Sequence, residues 1–173
     1  MITRSMSMLG NQIRGDVAAG HIFFMPPYFL KLKQETPARE LIVGDGSTLW
    51  WYIPGKKQAY RYSFEKFGKE LRLLTDVFRG LSGAEKRFRI SLIGRDEKSG
   101  QYRIELRPDP PWEEIDCLLL TVDPEHAIHV VEIHNTLGSI TRFILGKMKV
   151  QEHFAADFFR FVPPEGVQII EED

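Results

Sequence analysis

A chain of 173 residues is long enough to bury one continuous apolar core and short enough for one domain. Hydrophobic residues make up 43% and charged residues 27%, a globular balance, and twelve Phe with three Trp bring much apolar area. The formal charge of -1 gives no broad electrostatic grip on nucleic acid or an anionic lipid surface, and the one cysteine, Cys117, excludes an internal disulfide.

The N-terminal Met1-Ile2-Thr3-Arg4-Ser5 lacks the apolar core and small-residue cleavage site of an export signal, so the chain reads as cytosolic or as one whose signal was removed. Apolar runs such as 22–27 and 117–122 are too short to span a bilayer. Strands are then expected at 5–15, 18–26, 28–35, 39–44, 47–53 and 57–62. Leu30 and Leu32 alternate with Lys31 and Lys33, the pattern of a strand with one buried face. Turn signals at Gly44-Asp45-Gly46 and Pro54-Gly55 punctuate the series.

A single helix is expected from Phe64 to Arg79, where Phe67, Leu71, Leu74 and Phe78 recur at helical spacing and Leu73 and Val77 widen the stripe. Gly80 reads as its stop, and Ser82 as the N-cap of a further turn through Glu85 and Lys86. Strand signal resumes at 87–95, 100–107, 115–122, 127–134, 138–150 and 158–162. Phe88, Ile90 and Leu92 share one face, as do Ile104 and Leu106, and alternation alone expects them inside, with arginines opposite. Pro108-Asp109-Pro110-Pro111-Trp112 is a stiff connection rather than a linker, so residues 1–173 read as one domain. Short connections between consecutive strands argue for a meander rather than βαβ units. The fold class is α+β, mainly β.

Catalytic patterns are lacking. His126, His129 and His134 lie close in sequence, but on a strand His129 and His134 would face opposite sides, so no metal site is expected. Cys117 precedes three leucines and reads as an inert buried thiol. Glu113, Glu114 and Asp116 read as a solvated edge rather than an acid/base pair. Gly44-Asp45-Gly46 is no phosphate loop, for no Lys-Ser/Thr follows it. No enzyme activity and no cofactor are expected.

The most specific stretch is Asp45-Gly46-Ser47-Thr48-Leu49-Trp50-Trp51-Tyr52-Ile53-Pro54 with Gln58. It resembles the LolA family of outer-membrane lipoprotein carriers, whose pattern Asp-Gly-x-x-Leu-Trp-x-Tyr-x-Pro-x-x-x-Gln is met at Asp45, Gly46, Leu49, Trp50, Tyr52, Pro54 and Gln58. Phe159-Arg160-Phe161-Val162-Pro163-Pro164-Glu165-Gly166-Val167 is similar to the family's closing Phe-x-Phe-x-Pro-Pro-x-Gly-Val, and residues 20–27 to its Gly-leading strand. The likeness runs from Gly20 to Ile169.

That resemblance implies an unclosed antiparallel β-barrel of about eleven strands with a short helical lid. It implies a monomeric periplasmic carrier that binds lipoprotein acyl chains in an apolar cavity. Cargo would come from an inner-membrane lipoprotein-releasing transporter and pass to an outer-membrane receptor. Expected cavity residues are Leu30, Leu32, Leu49, Trp50, Trp51, Tyr52, Leu71, Leu74, Val77, Phe78, Phe88, Ile90, Leu92, Ile104 and Leu106. Trp50 and Tyr52 share one face of their strand and Leu49, Trp51 and Ile53 the other; both faces are apolar, and the sequence leaves open which one meets lipid. Two departures stand out. The family's Arg that latches its lid is replaced here by the pair Pro26-Pro27, and the family's opening amphipathic helix has no counterpart before the first strand-like residues. The alternative is the same fold binding another lipid, or sensing lipid or protein in the cell envelope.

Overall fold

The computed structural model describes residues 2–8, 11–12, 16–63, 69–79, 81, 83–146, 149 and 153–172. Seven strands come first: β1 (Ile2–Met8), β2 (Asn11–Gln12), β3 (Asp16–Met25), β4 (Phe29–Thr36), β5 (Glu40–Asp45), β6 (Thr48–Ile53) and β7 (Gln58–Ser63). Helix α1 (Lys69–Phe78) follows, then β8 (Phe88–Arg95), β9 (Tyr102–Pro108), β10 (Ile115–Val122), β11 (Ile128–Asn135), β12 (Ser139–Ile144) and β13 (Gln168–Glu172). The strands form two sheets, neither closed into a barrel, and the fold is mainly β. The chain divides into two compact units: Met1–Val17 with Ser82–Met148, and Ala18–Leu81 with Lys149–Asp173.

In the second unit β3 to β7 form an antiparallel meander, each strand paired with the next, and β13 adds to β7 in parallel. The turns explain the short connections. Asp45 Oδ1 accepts the backbone N–H groups of Ser47 and Thr48 at 2.9 and 2.8 Å, while Gly46 takes a φ of 90° that a side chain would resist. Partial burial pushes the Asp45 carboxyl up, but the bonds from Thr48 and Ser47 outweigh it and hold the group below its usual range. Gly20 marks a register shift between β3 and β4, where a Cβ would meet the Lys33 carbonyl oxygen at 1.9 Å; only glycine fits.

In the first unit the sheet order is β1-β12-β11-β10-β9-β8, all antiparallel, with β2 paired to β1. One face carries Phe88, Leu106, Leu118, Leu120, Val131, Ile133 and Phe143, all buried. The opposite face carries ion pairs: Arg107 with Glu105 at 3.0 Å and Asp116 at 2.8 Å, and Arg142 Nε with Glu132 at 2.6 Å. This is the apolar/polar alternation of a sheet with one dry side.

Several expected boundaries change. The strand expected at 158–162 is absent. Turn bonds from Phe158 N–H to Ala155 O and from Arg160 N–H to Asp157 O, each 2.9 Å, fold this stretch into a strap whose aromatic rings pack against the sheet. The strand expected at 5–15 starts at Ile2 and is broken, and the one expected at 138–150 ends at Ile144. β13 was not expected at all, because Gln168-Ile169-Ile170-Glu171-Glu172 shows little alternation. The helix is described from Lys69; its expected start at Phe64, its stop at Gly80 and the cap at Ser82 lie outside the described residues. The further turn is a 3₁₀ turn at Ala84–Lys86, opened by Gly83 at a φ of 75°.

Candidate functional site

Register sorts the side chains of the second sheet onto two faces. Phe24 pairs with Leu30, Leu30 with Gly44 and Gly44 with Leu49; Ile22 pairs with Leu32, Leu32 with Ile42 and Ile42 with Trp51. Paired residues in a ladder share a face, so these form one apolar surface. Leu30 and Leu49 are each 1% exposed and Leu32 is 5%. Helix α1 rests on this face through Phe78, whose ring lies 5.7 Å from that of Phe24. Leu73, Leu74 and Val77 are buried and Phe78 is half-buried, whereas the side chain of Leu71 lies outside the described residues. Just past the helix, the Arg79 guanidinium stands 5.2 Å from the Tyr28 ring centroid in the β3–β4 turn. A polar handle closes one margin: Trp51 Nε1 donates to Glu40 Oε2 at 2.8 Å.

The other face of the same sheet belongs to the strap. Trp50 and Tyr52 each lie 5.4 Å from Phe161, Phe29 lies 5.7 Å from Phe159, and Phe23 lies 5.1 Å from Phe158. Lys31 Nζ donates to the Phe158 carbonyl at 2.6 Å and sits 4.4 Å above the Phe158 ring. Burial, then the neighbouring Lys33 charge, lower the Lys31 pKa against the opposing pull of Asp157. The expected cavity set is therefore split. Leu30, Leu32, Leu49 and Trp51 share the face that carries Phe24 and meets α1, while Trp50 and Tyr52 lie against Phe161 on the reverse side and do not line the same surface.

In the first unit Phe88 and Leu106 are buried as alternation expects, and Ile104 is half-buried. Ile90 and Leu92 depart from the expectation of being inside: they share the face of Leu106 and Ile104, yet are 48% and 66% exposed. The reason is position, since β8 is the last strand of its sheet among the described residues. Apolar members of the two faces that sequence reasoning did not single out include Phe24, Ile42, Leu118, Leu120 and Val131. Register supplies them, and register needs the partner strand.

Groups able to do chemistry are dispersed. Among the described residues no three His, Cys, Asp or Glu side chains are placed to hold a metal ion. His129 meets Asp123 at 2.7 Å and His134 meets Glu132 at 3.3 Å, so the two imidazoles serve different carboxylates. Burial pushes the Cys117 thiol up to about 11, which keeps it protonated and unreactive at neutral pH.

The family model for "Outer membrane lipoprotein carrier protein LolA" matches residues 9–162. An outer-membrane lipoprotein carrier protein of Nitrosospira multiformis is 28% identical over 158 residues, covering 91% of this chain and 74% of that one. Its counterpart in Nitrosomonas europaea is 23% identical over 154 residues, covering 88% and 72%. The one from Methylobacillus flagellatus is 24% identical over 164 residues, covering 94% and 76%. The crystal structure of a DUF1329 family protein from Desulfovibrio piger matches at a TM-score of 0.43 and 14% identity, covering 92% of this chain and 87% of that one, a level that carries no argument. The match over most of the chain decides the matter: this protein belongs to the LolA family, a family of lipoprotein carriers and not of enzymes.

Proposed function

We propose that this protein works in the periplasm as a lipoprotein carrier and holds the acyl chains of its cargo against the face of the second sheet on which α1 rests. Leu30, Leu32, Leu49 and Trp51 form the wall. Leu74, Val77 and Phe78 form the underside of a lid. Phe88, Ile90, Leu92, Ile104 and Leu106 offer a second apolar surface of the same kind in the first unit. The observation that carries the reading is the mode of attachment of α1: an aromatic contact at Phe78 and a cation–π contact at Arg79 hold its C-terminal end over a leucine-rich sheet face.

The energetics suit a carrier. Covering about eight methylenes of a fatty chain contributes about 6 kcal/mol, at roughly 0.8 kcal/mol each. That is enough to hold an acyl chain in water and small enough for release to a stronger acceptor. The protein acts as a monomer, loaded by an inner-membrane lipoprotein-releasing transporter and unloaded by an outer-membrane receptor. Mass spectrometry of lipid extracted from protein purified out of the periplasm tests the cargo. Acylated peptide is expected; free lipid without peptide would turn the assignment to another lipid ligand on the same fold.

A further inference from the structure

The sheet face under α1 changes character along its strands. Phe24, Leu30, Gly44 and Leu49 form one row across the ladder, next to the Phe78 ring. Two residues along each strand, Ile22, Leu32, Ile42 and Trp51 form a second row. Two residues further the row turns polar: Gln34 pairs with Glu40, and Gln58 pairs with Ile53 and Gln168. Glu40 and Ile53 each stand one residue outside the Leu41–Tyr52 pair, which joins the two halves of this row. From Leu30 to Gln34 the strand rises about 13 Å, and over that length hydrocarbon gives way to amide and carboxylate. Exposure follows the same gradient. Leu30 and Leu49 are 1% exposed, whereas Gln34, Glu40 and Gln58 are half-buried and Gln168 is exposed.

Glu40 carries the one formal charge of the polar row, and it is negative. The strand cations Lys31, Lys33 and Arg61 belong to rows of the opposite face. Glu40 Oε2 accepts the Trp51 indole N–H at 2.8 Å, which fixes the carboxylate at the border between the hydrocarbon and polar rows. A carboxylate accepts several hydrogen bonds, so capacity remains for a further N–H donor. Gln34 Nε2 donates to the Ala38 carbonyl at 3.0 Å. Gln58 accepts from Tyr60 Oη at 3.2 Å and donates to Gln168 Oε1 at 3.3 Å. These amides offer donors and acceptors together.

We propose that the polar row selects the ligand by its head group: the acyl tail points towards α1, and the head lies at Gln34, Glu40 and Gln58, which accept an amide and disfavour an anion. This rests on the carrier reading and adds a selection to it. To Leu30, Leu32 and Leu49 the tail of a lipopeptide and the tail of a free fatty acid are alike, so the apolar wall does not discriminate. The head does. A peptide-linked chain presents amide N–H groups to Glu40 and to the glutamine carbonyls, whereas a fatty-acid carboxylate or a lipid phosphate brings a second negative charge beside a fixed one. The opposite orientation would set the polar head against buried Leu30 and Leu49, which offer it no hydrogen bond. Glu40 is thus the specificity residue, and Trp51 the residue that positions it.

Calorimetric titration of the full chain with two ligands of equal chain length tests this: a neutral N-palmitoyl dipeptide amide, and palmitate under conditions where it is ionised. The amide is expected to bind more tightly. Glu40→Gln keeps an acceptor for the Trp51 indole and removes the charge. It is expected to strengthen palmitate binding about three- to fivefold and to leave the affinity for the amide within about twofold. In the double variant Trp50→Phe, Trp112→Phe, which retains Trp51, bromine beside the head of the amide ligand is expected to quench more than bromine at the methyl end. A preference between the two ligands that Glu40→Gln leaves unchanged overturns the proposal while the carrier reading stands, and so does stronger quenching from the methyl end. Binding of neither ligand overturns both.

Discussion

Arg79 places its guanidinium 5.2 Å from the ring centroid of Tyr28, tying the end of α1 to the turn that joins β3 and β4. This turn is where the LolA pattern carries a latch Arg on the strand side and where this chain has Pro26-Pro27, which have no donor to offer. Here the cation stands next to the helix and the acceptor is an aromatic face in the turn. The tie between α1 and the turn runs the other way, with Phe78 against Phe24 reinforcing it.

The first prediction concerns this tie. Tyr28→Ala is expected to remove about 0.5–1 kcal/mol of attachment, speeding hydrogen exchange at Leu73, Leu74 and Val77 roughly two- to fivefold, while Tyr28→Phe keeps the ring and the protection. Exchange mass spectrometry of α1 reads the difference. Equal protection in Tyr28→Ala and the parent would remove Arg79–Tyr28 as a contact that holds α1.

Gly20→Ala tests the packing of β3 against β4. Its Cβ would lie 1.9 Å from the Lys33 carbonyl oxygen and 2.8 Å from the Gln34 Cα, and both are backbone atoms that cannot rotate away. A loss of about 2 kcal/mol or more is expected in urea unfolding. A loss within about 0.5 kcal/mol would mean that the register shift relaxes freely.

Leu74 and Leu92 provide a matched pair. Leu74 is 0% exposed and Leu92 66%. Leu74→Ala is expected to cost about 2–5 kcal/mol, and Leu92→Ala less than about 0.5 kcal/mol. Leu92→Asp therefore gives a folded protein in which a weaker hold on acyl chains, read by displacement of a fluorescent fatty acid, reports on the first unit's apolar surface and not on stability.

The Asp45 turn sets an acid limit. Its folded carboxyl lies below the ordinary value of 3.8, so its stabilising contribution is complete above that value and is lost as pH falls through the lower, folded one. Because the side chain is largely solvent-exposed, solvent screening keeps that contribution small. Asp45→Asn is expected to flatten the decline of melting temperature as pH falls below about 4, relative to the parent. Identical acid profiles would show that other carboxylates dominate.

Much of this fold was legible because its signals are local. Asp45-Gly46 announces a turn through its own side chain and through a φ open to glycine, and β4 alternates Leu30 and Leu32 with Lys31 and Lys33. The helix stripe at Leu73, Leu74, Val77 and Phe78 is equally local. What was not legible depends on partners distant in sequence. Phe159-Arg160-Phe161 alternates like a strand, yet its rings are held by Phe29, Trp50 and Tyr52 from a meander more than a hundred residues earlier. β13 is an exposed parallel addition whose pairing with β7 leaves little pattern in its own residues. Alternation placed Ile90 and Leu92 on the right face of β8 but could not reveal that this face runs out at an edge. The choice between Trp50 and Trp51 was closed to sequence because both faces of β6 are apolar.

That choice yields the decisive measurement. Variants retaining one tryptophan, made by replacing two of Trp50, Trp51 and Trp112 with Phe, are titrated with a lipopeptide whose acyl chain carries bromine, a short-range quencher of indole fluorescence. If the acyl chain lies along the sheet face that meets α1, the protein retaining Trp51 is quenched and the one retaining Trp50 is not. Quenching of Trp50 alone, or of neither while the lipopeptide binds, would contradict the account.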